Sequence, residues 1–397
     1  MTQAPSSRLR IAMLTYSVKP RGGVVHALEV SEALARRGHT VELAALARPG
    51  ESLFRPTDVP LALVRHVPAD DAPFDARIEA MLDAYADGLA ELLPRGGFDV
   101  VHAQDCISAN AALTLRDRGL VGRVLRTVHH VDDFTSPSLV DCQHRSIAEP
   151  DEVLCVSQPW AERLAREFGV RAGIVANGVD RARFRPPLDA DERAAERRAC
   201  ELGDRLAVLT VGGIEPRKGS LTLLEGFARL RAALPERDPL LLIAGGTTLF
   251  DYRHELGRFD ALAAELGVAG HVRVLGPQTD AQVERLYRAA DVFAFPSVKE
   301  GFGLAALEAL AAELPVVASD LDVFRSFLSH GDSALLAPVG DGRALGRELT
   351  RAATRPELRE RLRHGGRAVA AKYSWDASAR AHERAYDGFL SLEREAA

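Results

Sequence analysis

The chain is 397 residues long, which suits two domains better than a single core. With 47% hydrophobic and 27% charged residues it has the composition of a soluble globular protein, and a formal net charge of −6 without a dominant basic stretch argues against nucleic acid as a partner. It lacks an apolar run of the ~18 residues a transmembrane segment needs, an apolar leader, and any C-x-x-C spacing among Cys106, Cys142, Cys155 and Cys200, so it reads as a cytoplasmic protein with reduced thiols.

The first strand signal, Arg10–Tyr16, runs into the turn Ser17-Val-Lys-Pro-Arg-Gly-Gly23 and then a helical pattern, Val24–Arg37, that stops at Gly38. Gly22 and Gly23 permit positive φ and close approach of a ligand to the backbone, although an ordinary βα loop would use them equally. The turn is not the G-x-G-x-x-G dinucleotide fingerprint, which argues against a nicotinamide enzyme. Further strand-like runs follow at Val41–Leu46, Asp99–His102, Val124–His129, Glu152–Val156 and Gly173–Ala176, with a helix at Pro159–Phe168 closed by Gly169. His129 and His130 end one of these strands. A histidine there can hydrogen-bond a sugar hydroxyl or carry a proton, or simply bond a nearby carbonyl. Asp132 and Asp133 come next, but no third ligand completes a metal site. The segment Arg77–Tyr85 is too acidic for a helix lying on anionic lipid, which leaves peripheral membrane contact as an open expectation.

The proline-rich, charged stretch Arg183–Asp191 reads as a linker. A second strand series restarts at Leu206–Gly212 and continues through Leu240–Ala244, Val272–Leu275, Val292–Phe295, Val316–Ser319 and Ala334–Leu336; Leu221–Leu234 and Asp280–Ala290 are the clearest helices between. Alternating strands and helices predict parallel sheets covered on both faces. Two such series predict an α/β protein of two doubly wound, Rossmann-like domains facing a cleft, with ligands at the C-terminal strand ends. The expected domains are 1–185 and 186–374, with a final helix at 375–397 crossing back to the first.

Two turns of the second series carry chemistry. In Val211-Gly-Gly-Ile-Glu-Pro-Arg-Lys-Gly219, Arg217 and Lys218 would neutralise a diphosphate and stabilise it as it departs; an exposed basic turn is the alternative. Among the 50 Lys and Arg residues only Lys19, Lys218, Lys299 and Lys372 are lysines, and three of them fall in glycine-rich turns, a hint that a compact ammonium is wanted there. The strongest signal is Pro296–Leu310, a strand, a glycine-rich loop and a helix N-terminus, whose free N–H groups and dipole suit a phosphate. Glu308 has only apolar helical neighbours, Leu304, Ala305, Ala311 and Ala312, so its carboxylate needs a ribose diol, an arginine or solvent. Glu300 and Glu308 do not suit a glycosidase pair, because eight residues of helix rise roughly 12 Å against the ~5–9.5 Å such pairs require.

Taken together, these motifs resemble the retaining family 4 glycosyltransferases of GT-B fold over nearly the whole chain. The resemblance rests on Gly22-Gly23, Thr127-Val-His129, Asn177-Gly-Val-Asp180, Pro216-Arg-Lys218, Glu300-Gly-Phe-Gly-Leu-Ala-Ala-Leu-Glu308, Leu314-Pro-Val-Val-Ala-Ser319 and Tyr373-Ser-Trp375. It implies a hexosyltransferase that takes a nucleotide-diphosphate sugar as substrate, needs no cofactor or metal, and passes the sugar to a small-molecule, lipid or glycan acceptor held by the first domain. It further implies that Glu308 binds the nucleotide ribose and Glu300 the donor sugar, and that amides near Phe302, Gly303 and Leu304 hold the diphosphate with Lys218. Gly23 lies beside the diphosphate and His129 contacts the transferred sugar. Many members carry an arginine five residues before the lysine; this chain has Gly213 there, lining the donor, with Arg217 to supply the charge. A sugar-nucleotide 2-epimerase of the same fold and a non-catalytic nucleotide-sugar binding protein are the competing readings.

Overall fold

The computed structural model describes residues 8–68, 71–245 and 253–396. The chain divides into two compact units, Met1–Gly178 with Trp375–Ala397, and Val179–Ser374.

In the first unit, strands β1 (Arg10–Thr15), β2 (Thr40–Ala47), β3 (Leu61–Arg65), β4 (Val100–Ala103), β5 (Val124–Val128), β6 (Glu152–Cys155) and β7 (Gly173–Ile174) alternate with helices α1 (Gly22–Arg36), α2 (Phe74–Gly96), α3 (Cys106–Asp117), α4 (Pro137–Ala148) and α5 (Gln158–Phe168). The strands form one parallel sheet in the order β3-β2-β1-β4-β5-β6-β7. Its central strands are buried along their length, as β1, β4 and β5 show, because helices cover both faces. The strand β3 is absent from the sequence reading for a physical reason. It is a half-exposed edge strand whose apolar run, residues 61–64, is only four residues long and follows Pro56 and Pro60, which weigh against a strand.

The second unit holds α6 (Ala190–Ala199), β8 (Ala207–Val211), α7 (Ser220–Ala233), β9 (Leu240–Ala244), α8 (Arg253–Glu265), β10 (Val272–Gly276), α9 (Asp280–Ala289), β11 (Val292–Phe295), α10 (Leu304–Ala311), β12 (Val316–Ser319), α11 (Asp322–Arg325), β13 (Leu335–Ala337), α12 (Gly342–Thr354) and α13 (Pro356–Ala370). Its parallel sheet runs β10-β9-β8-β11-β12-β13. Core side chains such as Leu223, Phe227, Leu241, Phe259, Leu345 and Leu349 fill the space between β8, β9 and the helices α7, α8 and α12. Helix ends follow their local chemistry: Asp105 and Ser108 form a capping box on α3, Thr279 and Gln282 one on α9, and Gly169 closes α5 at φ 68°.

The stretch Arg183–Asp191 is not the free linker the sequence suggests. The unit boundary precedes it, at Gly178 and Val179. Arg183 is paired with Asp280 at 2.7 Å and Glu284 at 2.9 Å, and Phe184 packs edge-on against Tyr287, so the segment belongs to the second unit. The last helix, α14 (Trp375–Ala396), lies in the first unit against α1. There Arg37 donates to both carboxylate oxygens of Glu383 at 2.7 and 2.8 Å, and His39 meets the same group at 3.0 Å. The ring of Phe389 sits 4.3 Å from the guanidinium carbon of Arg123.

In both sheets the strand order reverses beside the first strand, between β1 and β4 and between β8 and β11. Loops leaving the C-terminal ends of those neighbours define the place where a doubly wound sheet binds its ligand. In the second unit the two loops are joined directly: the N–H of Val298 donates to the carbonyl of Arg217 at 2.8 Å. Gly219, at φ +66°, makes this approach feasible, because a Cβ there would overlap the carbonyl oxygen of Pro296. Gly219→Ala is therefore expected to lower stability by at least about 2 kcal/mol, from left-handed backbone strain plus overpacking. Urea denaturation checks this; an unchanged midpoint and slope would show that the two loops can part without cost.

Candidate active site

The expected site residues fall into two sets, one in each unit. In the second, Arg217 and Lys218 form a single 3-10 turn after β8, and Glu300 lies in the loop after β11. A single carboxylate oxygen of Glu300, Oε1, receives Lys218 Nζ at 2.6 Å, Ser297 Oγ at 2.9 Å and Arg217 Nη1 at 3.2 Å. Arg217 also donates to the carbonyl of Lys299 at 3.2 Å, and its Nη2 lies 3.7 Å from Glu215. Lys218 Nζ stands 4.7 Å from the ring centre of Phe295. Burial lowers the Lys218 ammonium from its ordinary range, offset only in part by Glu300. Burial opposes ionisation of Glu300, but the charges of Lys218 and Arg217 outweigh it and hold the carboxyl below its usual range. The result is a partly buried cluster in which two basic side chains share one carboxylate oxygen. Gly213 follows β8 in the same loop, and its backbone nitrogen is close enough to Gly245 that a Cβ on Gly245 would meet it at 2.6 Å.

Phe302, Gly303 and Leu304 lead into α10. Gly303 is its N-cap at φ 102°, where a Cβ would meet the Phe324 ring at 2.5 Å, and Leu304 is the first helical residue. Phe302 is buried, stacked 5.2 Å from Phe327. Glu300 thus lies ahead of the helix rather than within it, and the helical separation assumed for the two glutamates does not apply. Glu308, half-buried on α10, finds a partner that the sequence does not suggest: the Tyr287 hydroxyl, 2.9 Å from its Oε2 and 3.0 Å from the carbonyl of Ala305.

In the first unit, Gly22 and Gly23 open α1. A Cβ on Gly23 would come within 3.2 Å of His129 Cδ2, so the glycine lets the helix start against that ring. His129 follows β5, with Nε2 3.1 Å from Gln104 Oε1 and its ring 4.7 Å from that of His26. His26 in turn bonds Asn177 Oδ1 at 2.7 Å. His130 points elsewhere, 3.2 Å from Asp132. Four histidines thus form a connected group, His26, His102 and His382 buried and His129 half-buried: the rings of His26 and His382 are 5.5 Å apart, and those of His102 and His382 5.6 Å. His102 is held between Thr127 Oγ1 at 2.7 Å and Tyr386 at 2.9 Å. Burial drives all four toward the neutral form, His26 to about 3 and His382 to about 4, with His102 and His129 well below the ordinary range.

Sequence reasoning missed Gln104, Ser297 and Tyr287. Gln104 directly follows β4, the strand beside the reversal of order, and that position was the available signal. Ser297 stands three residues before Glu300, inside the motif already singled out. Tyr287 gave no signal, because its link to Glu308 exists only after α9 and α10 pack together.

Among the described residues, no group of three or more His, Cys, Asp or Glu is placed to hold a metal ion, and no helix is long and apolar enough to cross a membrane. The family model described as Glycosyltransferase Family 4 matches residues 20–183, and that described as Glycosyl transferases group 1 matches residues 192–369. A D-inositol 3-phosphate glycosyltransferase from Saccharomonospora viridis is 32% identical over 98% of this chain and 94% of its own length. Among solved structures, sucrose-phosphate synthase from Thermosynechococcus elongatus superposes with a TM-score of 0.81 at 23% identity, covering 97% of this chain and 100% of its own. Anabaena HepE, solved in complex with UDP-glucose, gives 0.74 at 16% identity over 97% and 100%. Two parallel-sheet α/β units with these relatives define a glycosyltransferase of GT-B type. The chain belongs to glycosyltransferase family 4. Nothing in these matches supports the epimerase reading.

The histidine group makes the first unit acid-sensitive. Each of these bases binds its proton more weakly folded than unfolded, so between the unfolded value of 6.5 and the folded values of about 4 and 3 the unfolded chain takes up more protons. Stability present above pH 6.5 is then lost on acidification, at up to ~1.4 kcal/mol per pH unit for each histidine. Melting temperature should fall steeply from pH 6.5 to 4.5, with a shallower slope in His382→Phe. Parallel slopes for parent and variant would exclude His382 as a source of the sensitivity.

Proposed function

We propose that this glycosyltransferase takes a nucleotide-diphosphate sugar as donor and transfers the sugar with retention of anomeric configuration, without a divalent metal. The observation that carries the reading is the convergence of Lys218, Arg217 and Ser297 on Glu300 Oε1, at the strand-end loops beside the N-terminus of α10. A departing diphosphate develops negative charge, and two partly buried cations with a helix dipole would stabilise it as a metal ion would in other transferases. Glu308 would receive the ribose hydroxyls, with Tyr287 holding its carboxylate in place. The backbone at Phe302, Gly303 and Leu304 would take the phosphate oxygens, Gly213 would line the donor, and Glu300 would accept sugar hydroxyls. In the first unit, Gly22 and Gly23 would lie beside the diphosphate, and His129, kept neutral and positioned by Gln104, would contact the transferred sugar.

Retention fits a site whose carboxylate is committed to two cations. Glu300 is not offered as a base to deprotonate a hydroxyl arriving from the opposite face of the sugar. A phosphorylated polyol is the acceptor class to test first, on the strength of the D-inositol 3-phosphate activity named for the relatives. Four free cysteines agree with work in the cytoplasm.

Radiolabelled nucleotide sugars offered with inositol 3-phosphate should give a transfer product rather than free sugar or epimer, and proton NMR should show the donor's anomeric configuration retained. Activity should survive a chelator; its loss in chelator and return with magnesium or manganese would overturn the metal-independent reading. Lys218→Ala should lower turnover by ~10²–10³ and donor affinity by less, because the ammonium acts most on the developing charge. Turnover within about threefold of the parent would make Lys218 a structural partner of Glu300 and nothing more.

A further inference from the structure

A second pocket lies in the same unit, away from the strand-end loops. Pro186 and Pro187, α6, the end of α9, the turn from α10 to β12, and α13 enclose a cavity of about 270 Å³. Three helices each send one arginine to it: Arg193, Arg288 and Arg363. Arg193 is engaged, with Nη2 2.7 Å from Asp291 Oδ1 and 3.2 Å from the carbonyl of Ala290. Arg288 is only 13% exposed and donates just its Nε, to Glu196 Oε1 at 2.8 Å; among the described residues its two terminal amino groups make no hydrogen bond. Arg363 makes no hydrogen bond there either, and its acidic neighbour Glu360 is 3.9 Å away. The two carboxylates in the lining are in use: Asp189 caps α6 through the N–H of Glu192, and Glu313 pairs with Arg367 at 3.3 Å. The lining itself thus carries three arginines against two carboxylates. Burial, with repulsion from Arg197 and Arg363, holds the Arg193 guanidinium below its usual range despite Asp291.

We propose that this cavity binds a small phosphate-bearing molecule, of the class of a sugar monophosphate, at a site separate from the donor. The planar forks of Arg288 and Arg363 match phosphate oxygens in pairs, and their terminal amino groups, which make no hydrogen bond among the described residues, are the donors an anion would take. Pro186, Pro187 and Leu314 supply an apolar wall for the carbon face of a sugar ring. A volume of about 270 Å³ lies just below the usual ~300–1,000 Å³ of ligand pockets, which favours a monophosphate over a dinucleotide or a lipid. Tyr287 is part of the lining, and its hydroxyl donates to Glu308. An occupant therefore touches the residue that positions Glu308; an effect on donor binding rests on the reading of Glu308 above, whereas occupancy itself does not.

Isothermal titration of the full chain with ribose 5-phosphate, and separately with inorganic phosphate, tests the site. The parent binds ribose 5-phosphate, and Arg288→Gln/Arg363→Gln weakens it by ~10–100-fold, the equivalent of one or two charge-assisted hydrogen bonds. Lys218→Ala keeps the parent affinity, which separates this pocket from the donor site. Because Arg288 also anchors Glu196, Arg363→Gln is read alone as well; its side chain is 41% exposed, and it should lose about tenfold in affinity with an unchanged melting temperature. Two results overturn the proposal: no saturable binding of either probe by the parent up to about 10 mM, or binding that is lost in Lys218→Ala and kept in the double variant. Tighter binding of inorganic phosphate than of ribose 5-phosphate would remove the sugar from the assignment.

Discussion

The second unit is organised around one buried carboxylate. Glu300 is buried among Lys218, Arg217 and Ser297, and its carboxylate could not be left alone at that burial without a penalty of several kcal/mol. Breaking one partner of a buried pair typically costs about 3–5 kcal/mol, whereas forming the pair gains little. The cluster is thus a constraint more than a source of stability. It forces the loop after β8 and the loop after β11 to arrive together, and the Val298–Arg217 backbone bond and the close contact at Gly219 follow from that arrival. The N-terminus of α10 is set by the same loop, so the first amides of that helix and the cationic side chains share one anchor.

Much of this was legible in the sequence, because position at a strand end is a local property. The β8 turn and the segment from Glu300 to Glu308 were identified by a strand, glycines and a helix pattern in succession. What the sequence did not show is that Lys218 and Glu300, 82 residues apart, meet each other before they meet a ligand. Nor did it show that Glu308 is held by Tyr287. Composition misled at Arg183–Asp191, where prolines and charges suggested a free connection. Charge and proline content describe what a segment can do unaided, and Asp280, Glu284 and Tyr287 come from elsewhere in the chain to hold this one.

The two units solve the same topological problem with opposite electrostatics. Behind the strand ends of the second unit lies a group of ions whose charges depend on one another. Behind those of the first lies a group of uncharged imidazoles, each kept neutral by burial and linked to its neighbours by ring edges and single hydrogen bonds. A neutral, polarisable wall suits the hydroxyls of a sugar, while a charged one suits an anion.

The return of α14 to the first unit also has a consequence for the order in which the protein is made. The second unit is one uninterrupted stretch, Val179–Ser374, and has all its parts as soon as it has been synthesised. The first unit does not. His382 and Tyr386, which complete the histidine group, and Glu383, which binds Arg37 and His39, all lie on α14, which is made only after the whole second unit. The first half of the chain to emerge is therefore the last to close. Until it does, His26 on α1 has its contacts to His129 and Asn177 but lacks those that Trp375 and His382 supply from α14.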